Sequence, residues 1–219
     1  MLQHVWERAS AARYLTSVTI ATDDDRIRAE AEKFHARVVM TREDHPSGTD
    51  RVAEVASASN ADIVVNIQGD EPLIDPSAID TAILGLMEDD EIPMGTLKKR
   101  IELPEEVTNP NVVKVVTDLS GNAIYFSRAP IPHVRSDGSA PVCFKHVGLY
   151  VYRRDFLLGY SDLPVGPLEQ AERLEQLRAL ENGFKIRVVE TEYESLGVDT
   201  PEDWERVSEL FGAPAAQVK

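Results

Sequence analysis

The chain has 219 residues, 28% of them charged and 42% hydrophobic, and a formal net charge of −15. This size and composition fit a globular domain with a sizeable core. The negative charge disfavours non-specific binding to nucleic acid or to anionic membranes. The single cysteine, Cys143, excludes an intramolecular disulfide. Residues 1–10 have no signal-peptide layout. We therefore expect a cytoplasmic protein with no nucleic-acid or membrane partner.

Short apolar runs alternate with amphipathic stretches through the first half of the chain. Strands are predicted at 17–23, 37–40, 62–70 and 94–101, and helices at 24–36, 47–59 and 75–90. Strands that alternate with helices of this length predict a parallel sheet with right-handed crossovers. The run 62–70 is apolar on both faces, as a central parallel strand should be.

The second half is richer in strands. The sequence predicts two strands joined by a turn over 111–128, a strand and a short helix over 145–162, one amphipathic helix over 167–183, a strand over 185–192 and a helix over 199–212. We expect one domain over 1–212 with a smaller sheet region at about 111–152, and a C-terminal tail at 213–219. Ile124, Phe126 and Val147 are expected to be exposed apolar positions that help to form a homodimer.

Polar side chains follow the apolar run 62–70 where it leaves the core. Ligands of an open parallel sheet bind beyond the carboxyl ends of its strands, and Gln68, Asp70 and Glu71 lie at that point. A carboxylate there can help to hold Mg²⁺ beside phosphate oxygens. The alternative is that Asp70 and Glu71 only form a turn before the next helix. From the spacing alone, both interpretations stay open.

A second carboxylate, Asp199, lies in the sequence GVDTPEDW. Aspartate before Thr-Pro-Glu-Asp is a common helix start, so the pattern alone favours a cap over metal binding for Asp199.

Eight motifs in chain order resemble one family. They are ATDDDRI, TREDHPSGTDR, VNIQGDEP, NPNVVKVV, YFSRAPIP, KHVGLYVYR, PLEQAERLEQLRALENG and GVDTPEDW. Together they resemble the 3-deoxy-manno-octulosonate (Kdo) cytidylyltransferases, from Met1 to about Val207. The resemblance implies an α/β fold with a mostly parallel, Rossmann-like sheet of the nucleotide-diphospho-sugar transferase type. It also implies a smaller β-rich subregion through which the family forms homodimers.

The resemblance implies a reaction as well. The family transfers CMP from CTP to the anomeric hydroxyl of Kdo and releases pyrophosphate, with Mg²⁺ required, which activates Kdo for lipopolysaccharide synthesis. Alternatives are a cytidylyltransferase for another 2-keto sugar acid (amino-Kdo or sialate-like), an inactive truncated nucleotide- or sugar-binding relative, and a structural α/β domain. Pyrophosphate release from CTP and Kdo would separate them.

The resemblance also implies roles for individual residues. Asp70 and Asp199 match the two metal-holding, catalytic aspartates. The nucleotide would contact Asp23, His45, Ser47, Gly48, Arg51 and Gln68. Kdo would contact Arg128, His146, Tyr150, Glu175 and Gln176. Arg128 suits the sugar carboxylate because a guanidinium can bind it bidentately. Without the resemblance, Glu175 and Gln176 would be interpreted as the solvated face of a helix, and His146 as a histidine at a strand edge.

One part of the family pattern has no counterpart. Family members begin with a strand and a basic, glycine-containing loop that grips the triphosphate, whereas this sequence starts where that loop would have ended. We expect a misplaced gene start. On this expectation the chain is poorly stable and nearly inactive until about thirty upstream residues, one strand and one loop, are restored.

Overall fold

The computed structural model describes residues 1–133, 135, 142–198 and 200–212. The predicted tail at 213–219 and the side chain of Asp199 lie outside the described residues. The helices are α1 (Leu2–Ser10), α2 (Asp25–Lys33), α3 (Gly48–Ser57), α4 (Pro76–Met87), α5 (Pro104–Thr108), α6 (Arg154–Leu158), α7 (Pro167–Glu172), α8 (Leu177–Glu181) and α9 (Pro201–Gly212). The strands are β1 (Thr19–Thr22), β2 (Arg37–Met40), β3 (Ile63–Asn66), β4 (Met94–Arg100), β5 (Lys114–Thr117), β6 (Ala123–Ser127), β7 (Phe144–Arg153) and β8 (Ile186–Glu190).

Three helices of the first half begin at side-chain caps. Asp24 accepts a hydrogen bond from the Arg26 amide, Ser47 from the Asp50 amide, and Asp75 from the Ser77 amide. Such caps satisfy one of the free amides of the first turn. The predicted helix starts near 24, 47 and 75 are confirmed.

The strands form two sheets. β1 and β2 pair in parallel, and the other six strands form a mixed sheet in the order β6-β5-β7-β4-β8, with β3 also on β7. β4 and β8 are parallel, whereas β7 is antiparallel to β3, β4 and β5. The predicted strand at 62–70 is confirmed, but its described partner is antiparallel. The long strand β7 can pair with both β3 and β5, because its second half pairs with β3 and its first half with β5.

The core lies on both faces of β7, because successive side chains of a strand point to opposite faces. Val147, Leu149 and Val151 pack with α1 and α4, and Tyr150 and Tyr152 pack on the other face with α6 and α8. Phe126 also lies in the second cluster. The expectation that Phe126 and Val147 are exposed was therefore wrong; only Ile124, 60% exposed, lies at the surface.

The predicted helix 167–183 is two short helices. Arg173 adopts a left-handed conformation (φ 54°, ψ 46°) directly after α7, and α8 begins at Leu177. The break turns Leu174 and Gln176 into the protein, where both are buried. An unbroken helix was therefore the wrong prediction, and the bend is what positions residues 172–176.

Candidate active site

A tight turn follows β3 and presents the predicted metal-binding carboxylate. The Glu71 amide donates to the Gln68 carbonyl oxygen at 3.4 Å, which closes the turn. Gln68 Nε2 donates to Asn66 Oδ1 at 3.3 Å, so the end of β3 orients the glutamine. Asp70 Oδ1 is buried and has no hydrogen-bond partner among the described residues. A buried carboxylate oxygen without a donor calls for a cation or another ligand.

The backbone before α9 returns to this turn. The Val198 amide donates to the Asp70 carbonyl oxygen at 2.9 Å. Residue 199 follows directly in sequence, although its side chain is outside what the structure describes. The described part of the chain contains no cluster of three or more His, Cys, Asp or Glu side chains suited to a metal. Asp70 offers one buried carboxylate oxygen of the kind that a hard divalent cation prefers.

Glu71 does not share the position of Asp70. Its side chain accepts hydrogen bonds from the Tyr193 hydroxyl at 3.1 Å and from Ser195 Oγ at 2.7 Å. Burial raises the pKa of the Glu71 carboxyl. Both of its oxygens are thus engaged within the protein.

Four of the predicted nucleotide residues are engaged in contacts around α3. Arg51 Nη2 lies 2.7 Å from Asp23 Oδ2, which ties α3 to the end of β1. His45 Nε2 is hydrogen-bonded to Glu54, and that contact lowers the pKa of Glu54. Ser47 caps α3. The structure thus places His45, Ser47 and Arg51 on the loop and first turns of α3, with Asp23 beside them at the end of β1.

Gly48 opens that helix. A Cβ built at Gly48 would meet no atom within 4 Å, so there is open space at the position where a side chain would begin.

One contact joins the predicted nucleotide end to the predicted sugar end. Ser47 Oγ lies 3.4 Å from Glu175 Oε1 and 2.7 Å from Asp50 Oδ2. The Tyr160 hydroxyl donates to the Glu175 carbonyl oxygen at 2.8 Å, and burial raises the pKa of the Glu175 carboxyl. Glu175 is therefore part of a packed, polar cluster rather than of a solvated helix face.

Gln176 is the least exposed of the predicted sugar contacts, at 3%. Its Nε2 has no hydrogen-bond partner among the described residues. An unpaired buried amide costs about 1–3 kcal/mol, and a ligand oxygen can remove that cost. The interpretation of Gln176 as a solvated helix residue was wrong.

His146 and Tyr150 lie on one face of β7, with ring centroids 5.4 Å apart. Burial lowers the pKa of His146 to about 3, so the imidazole is neutral near pH 7. Its Nε2 is 2.9 Å from Thr96 Oγ1, which also lies within hydrogen-bonding distance of two backbone carbonyl oxygens. Because the hydroxyl hydrogen goes to a carbonyl, its lone pair accepts from Nε2–H. Nδ1 is then the imidazole acceptor.

Tyr150 lies in the sheet between the strand that leads to Gln68 and the strand that supports His146. It is paired with Asn66 of β3 on one side and with Thr96 of β4 on the other. Since Asn66 also orients Gln68, the predicted nucleotide residue and the predicted sugar residues share one rigid framework. Burial raises the pKa of the Tyr150 phenol well above its usual range, so the hydroxyl stays protonated.

Arg128 makes more internal contacts than the sequence suggests. Its Nε donates to the Glu172 carbonyl oxygen at 2.8 Å, and its Nη1 donates to the Pro110 carbonyl oxygen at 3.0 Å. The Glu172 carboxylate accepts from the Arg128 amide at 2.9 Å and from Ser127 Oγ at 2.6 Å. The arginine is therefore held in place from several sides.

The sequence interpretation missed three residues that support this site: Lys114, Glu172 and Thr96. Lys114 left a signal, because it stands inside the apolar run VVKVV. Glu172 and Thr96 left none, since their partners are distant in sequence. The roles given to the site residues by resemblance stay predictions.

The chain is similar to proteins of one activity. A sequence model of the cytidylyltransferase family matches residues 1–186. The 3-deoxy-manno-octulosonate cytidylyltransferase of Solibacter usitatus (strain Ellin6076) is 71% identical over 217 residues, 99% of this chain and 86% of that protein. That of Geobacter sulfurreducens (strain ATCC 51573 / DSM 12127 / PCA) is 56% identical over 95% of this chain and 88% of that protein.

Solved structures of cytidylyltransferases also match this chain. The structure of a CMP:2-keto-3-deoxy-manno-octonic acid synthetase complexed with CTP matches with a TM-score of 0.92 and 44% identity, over 96% of this chain and 87% of that one. A 4-diphosphocytidyl-2C-methyl-D-erythritol synthase from Anaerococcus prevotii DSM 20548 shares the fold, with a TM-score of 0.62 and 13% identity over 97% and 89% of the two chains. The predicted α/β nucleotidyltransferase fold is confirmed.

Fold and family match together define a nucleotidyltransferase of the cytidylyltransferase class. Within that class, the chain belongs to the 3-deoxy-manno-octulosonate cytidylyltransferase family.

Proposed function

We propose that this protein transfers CMP from CTP to the anomeric hydroxyl of Kdo and releases pyrophosphate. The observation that carries the proposal is the turn after β3. Asp70 offers a buried carboxylate oxygen without a donor, and Val198 brings the chain that precedes Asp199 against the same residue. The relatives named for this reaction add the identity of the substrates.

We further propose that Asp70 and Asp199 hold Mg²⁺. The residues present fit the ion, because hard carboxylate oxygens suit it and phosphate oxygens complete its shell. When bound, Mg²⁺ would lower the pKa of the attacking hydroxyl and offset charge on the α-phosphate, so no protein base is required.

The remaining residues would bind and orient the substrates. Gln68, held by Asn66, would contact the nucleotide. Neutral His146 can accept a hydrogen bond from a sugar hydroxyl at Nδ1, and the unpaired amide of Gln176 can donate a hydrogen bond to a sugar oxygen. Arg128 would pair with the Kdo carboxylate through guanidinium hydrogens not used in its backbone contacts. Because the framework is rigid, most of the catalytic effect would come from positioning.

We also propose that the protein works in the cytoplasm, where CTP is available. No helix among the described ranges is long and apolar enough to cross a membrane.

The test is pyrophosphate release from CTP, with Mg²⁺ and one sugar acid at a time: Kdo, 8-amino-Kdo or sialate. The assay is run on this chain and on one extended upstream, and we expect turnover with Kdo in the extended chain and loss of it in Asp70→Asn. Asp80→Asn is the matched control, because the contacts described for this carboxylate are those with the Arg13 and Tyr14 amides. If another sugar acid is turned over faster than Kdo, that acid is the substrate instead. Binding of CTP without turnover of any of the three acids would contradict the proposal that this protein is an enzyme.

A further inference from the structure

We infer that Glu71 is a positioning residue that holds the chain before Asp199 against Asp70; the inference rests on the proposed metal site. Glu71 is 9% exposed, and its two oxygens accept from Tyr193 and Ser195, far along the chain. Burying a carboxylate is costly unless hydrogen bonds compensate. Two hydroxyl donors provide that compensation, and they commit Glu71 to the returning chain rather than to a metal.

The same short stretch is held from its other side. We call residues 193–195 the clamped segment. Its middle residue, Glu194, lies 2.5 Å from Lys145 Nζ and 2.8 Å from Lys99 Nζ. Lys145 is fixed in turn by Glu106 at 2.6 Å. Alternate side chains of the clamped segment therefore bind Glu71 on one side and two lysines of β4 and β7 on the other.

The clamped segment leads along the chain to the residue that contacts Asp70. Residues 191–198 contain neither helix nor strand, so side-chain contacts do much of the work of holding them. Three residues beyond the clamped segment, the Val198 amide reaches the Asp70 carbonyl oxygen. Glu71 is the immediate neighbour of Asp70, and so it ties the returning chain to the turn that carries the first carboxylate. Groups that orient a metal ligand in this way typically change metal affinity by about 10–100-fold when mutated.

The experiment compares Glu71→Ala with Glu71→Gln. Glutamine keeps the shape and can still hydrogen-bond both hydroxyls, whereas alanine releases them. One readout is Mn²⁺ affinity in the presence of CTP without sugar, followed by electron paramagnetic resonance. The other is hydrogen exchange of the Val198 amide by NMR, which requires no activity.

We expect Glu71→Ala to weaken Mn²⁺ binding by about tenfold or more and to speed Val198 exchange, with core amides such as that of Val151 unchanged. Glu71→Gln should stay near the wild type in both readouts. Asp80→Asn is the control for a lost carboxylate elsewhere and should change neither.

Unchanged Val198 exchange in Glu71→Ala would overturn the inference, as would faster exchange with undiminished Mn²⁺ affinity or a wild type that binds no Mn²⁺. If Glu71→Ala does not fold, Tyr193→Phe and Ser195→Ala each remove one donor to Glu71 and should show the same two changes in smaller measure. If the wild type does not transfer CMP to Kdo but the expected changes occur, the proposed function fails and the positioning role stands.

Discussion

The Lys114 ammonium donates a hydrogen bond of 2.6 Å to the carbonyl oxygen of Arg128. The same fully buried ammonium donates to the carbonyl oxygens of Asn109 at 2.8 Å and Val112 at 2.6 Å. A buried cation is tolerated when several acceptors replace its water. Lys114 thus fixes the backbone of the residue proposed to bind the sugar carboxylate.

Arg128→Ala should raise the Kdo KM about tenfold or more, with a much smaller effect on the CTP KM, since a charged hydrogen-bond pair is worth about 1.5–3 kcal/mol. Steady-state kinetics with each substrate varied in turn measures both constants. Arg153→Ala is the matched control, because its guanidinium also donates to backbone carbonyls, whereas its backbone pairs with Ile63 at the start of β3, away from Asn66. Equal effects on the two KM values would show that Arg128 serves the fold alone.

Gln176→Met should separate stability from binding. The substitution removes a buried amide without a described partner and keeps a similar volume, so we expect an unchanged or higher melting temperature. The Kdo KM should nevertheless rise, because a donor to the sugar is lost. Calorimetry and kinetics measure the two effects. A lower melting temperature together with an unchanged KM would mean that the amide has a structural partner instead.

His146 should make stability depend on pH. Its pKa is about 3 in the folded protein against 6.5 as the reference, so between these values the unfolded chain binds more protons. The contribution is complete above about pH 6.5 and is lost as the pH falls toward 3, with a slope of at most about 1.4 kcal/mol per pH unit. Urea unfolding at pH 7 and pH 5 should show a smaller loss in His146→Asn than in the wild type. An equal loss of unfolding free energy in the variant and the wild type would show that the pKa of His146 is not lowered by folding.

Asp70→Asn and Asp199→Asn should each abolish most turnover and leave the fold intact. Asparagine keeps the shape but loses the charge that holds a divalent cation. Pyrophosphate release reports turnover, and circular dichroism reports folding. Either variant retaining near-normal activity would rule out a site built on two aspartates.

The predicted homodimer can be tested at Ile124. This side chain is 60% exposed on β6, in the region from which the dimer is expected. We expect a dimeric mass by light scattering at micromolar concentration, and a shift toward monomer in Ile124→Glu. Leu84→Glu, an exposed leucine of α4 at 42%, is the control and should stay dimeric. A monomeric wild type would contradict the prediction.

The sequence predicts the strands and the capped helices well, because the spacing of apolar residues and the identity of the cap residues are local signals. It fails at Arg173, where an amphipathic pattern hides a left-handed residue. Helical periodicity cannot show that Gln176 must face inward, since that depends on packing against distant elements. Phe126 and Val147 were misplaced for the same reason: which face of a strand is buried depends on its neighbours.

The site was predictable only in part. Asp70 can be found from its place after an apolar strand, whereas Tyr193 and Ser195, the partners of Glu71, lie far away along the chain. Such pairings leave no trace in local composition. The resemblance to a family supplied the roles that spacing could not.

The hydrogen bond from Val198 to Asp70 also bears on the order in which parts of the protein fold. Closing a long loop costs entropy that only later contacts recover, so this junction should form late in folding. While the chain is being synthesised, the turn after β3 leaves the ribosome long before its partner does. A chain that has not yet been synthesised through residue 199 therefore lacks the second half of the proposed metal site.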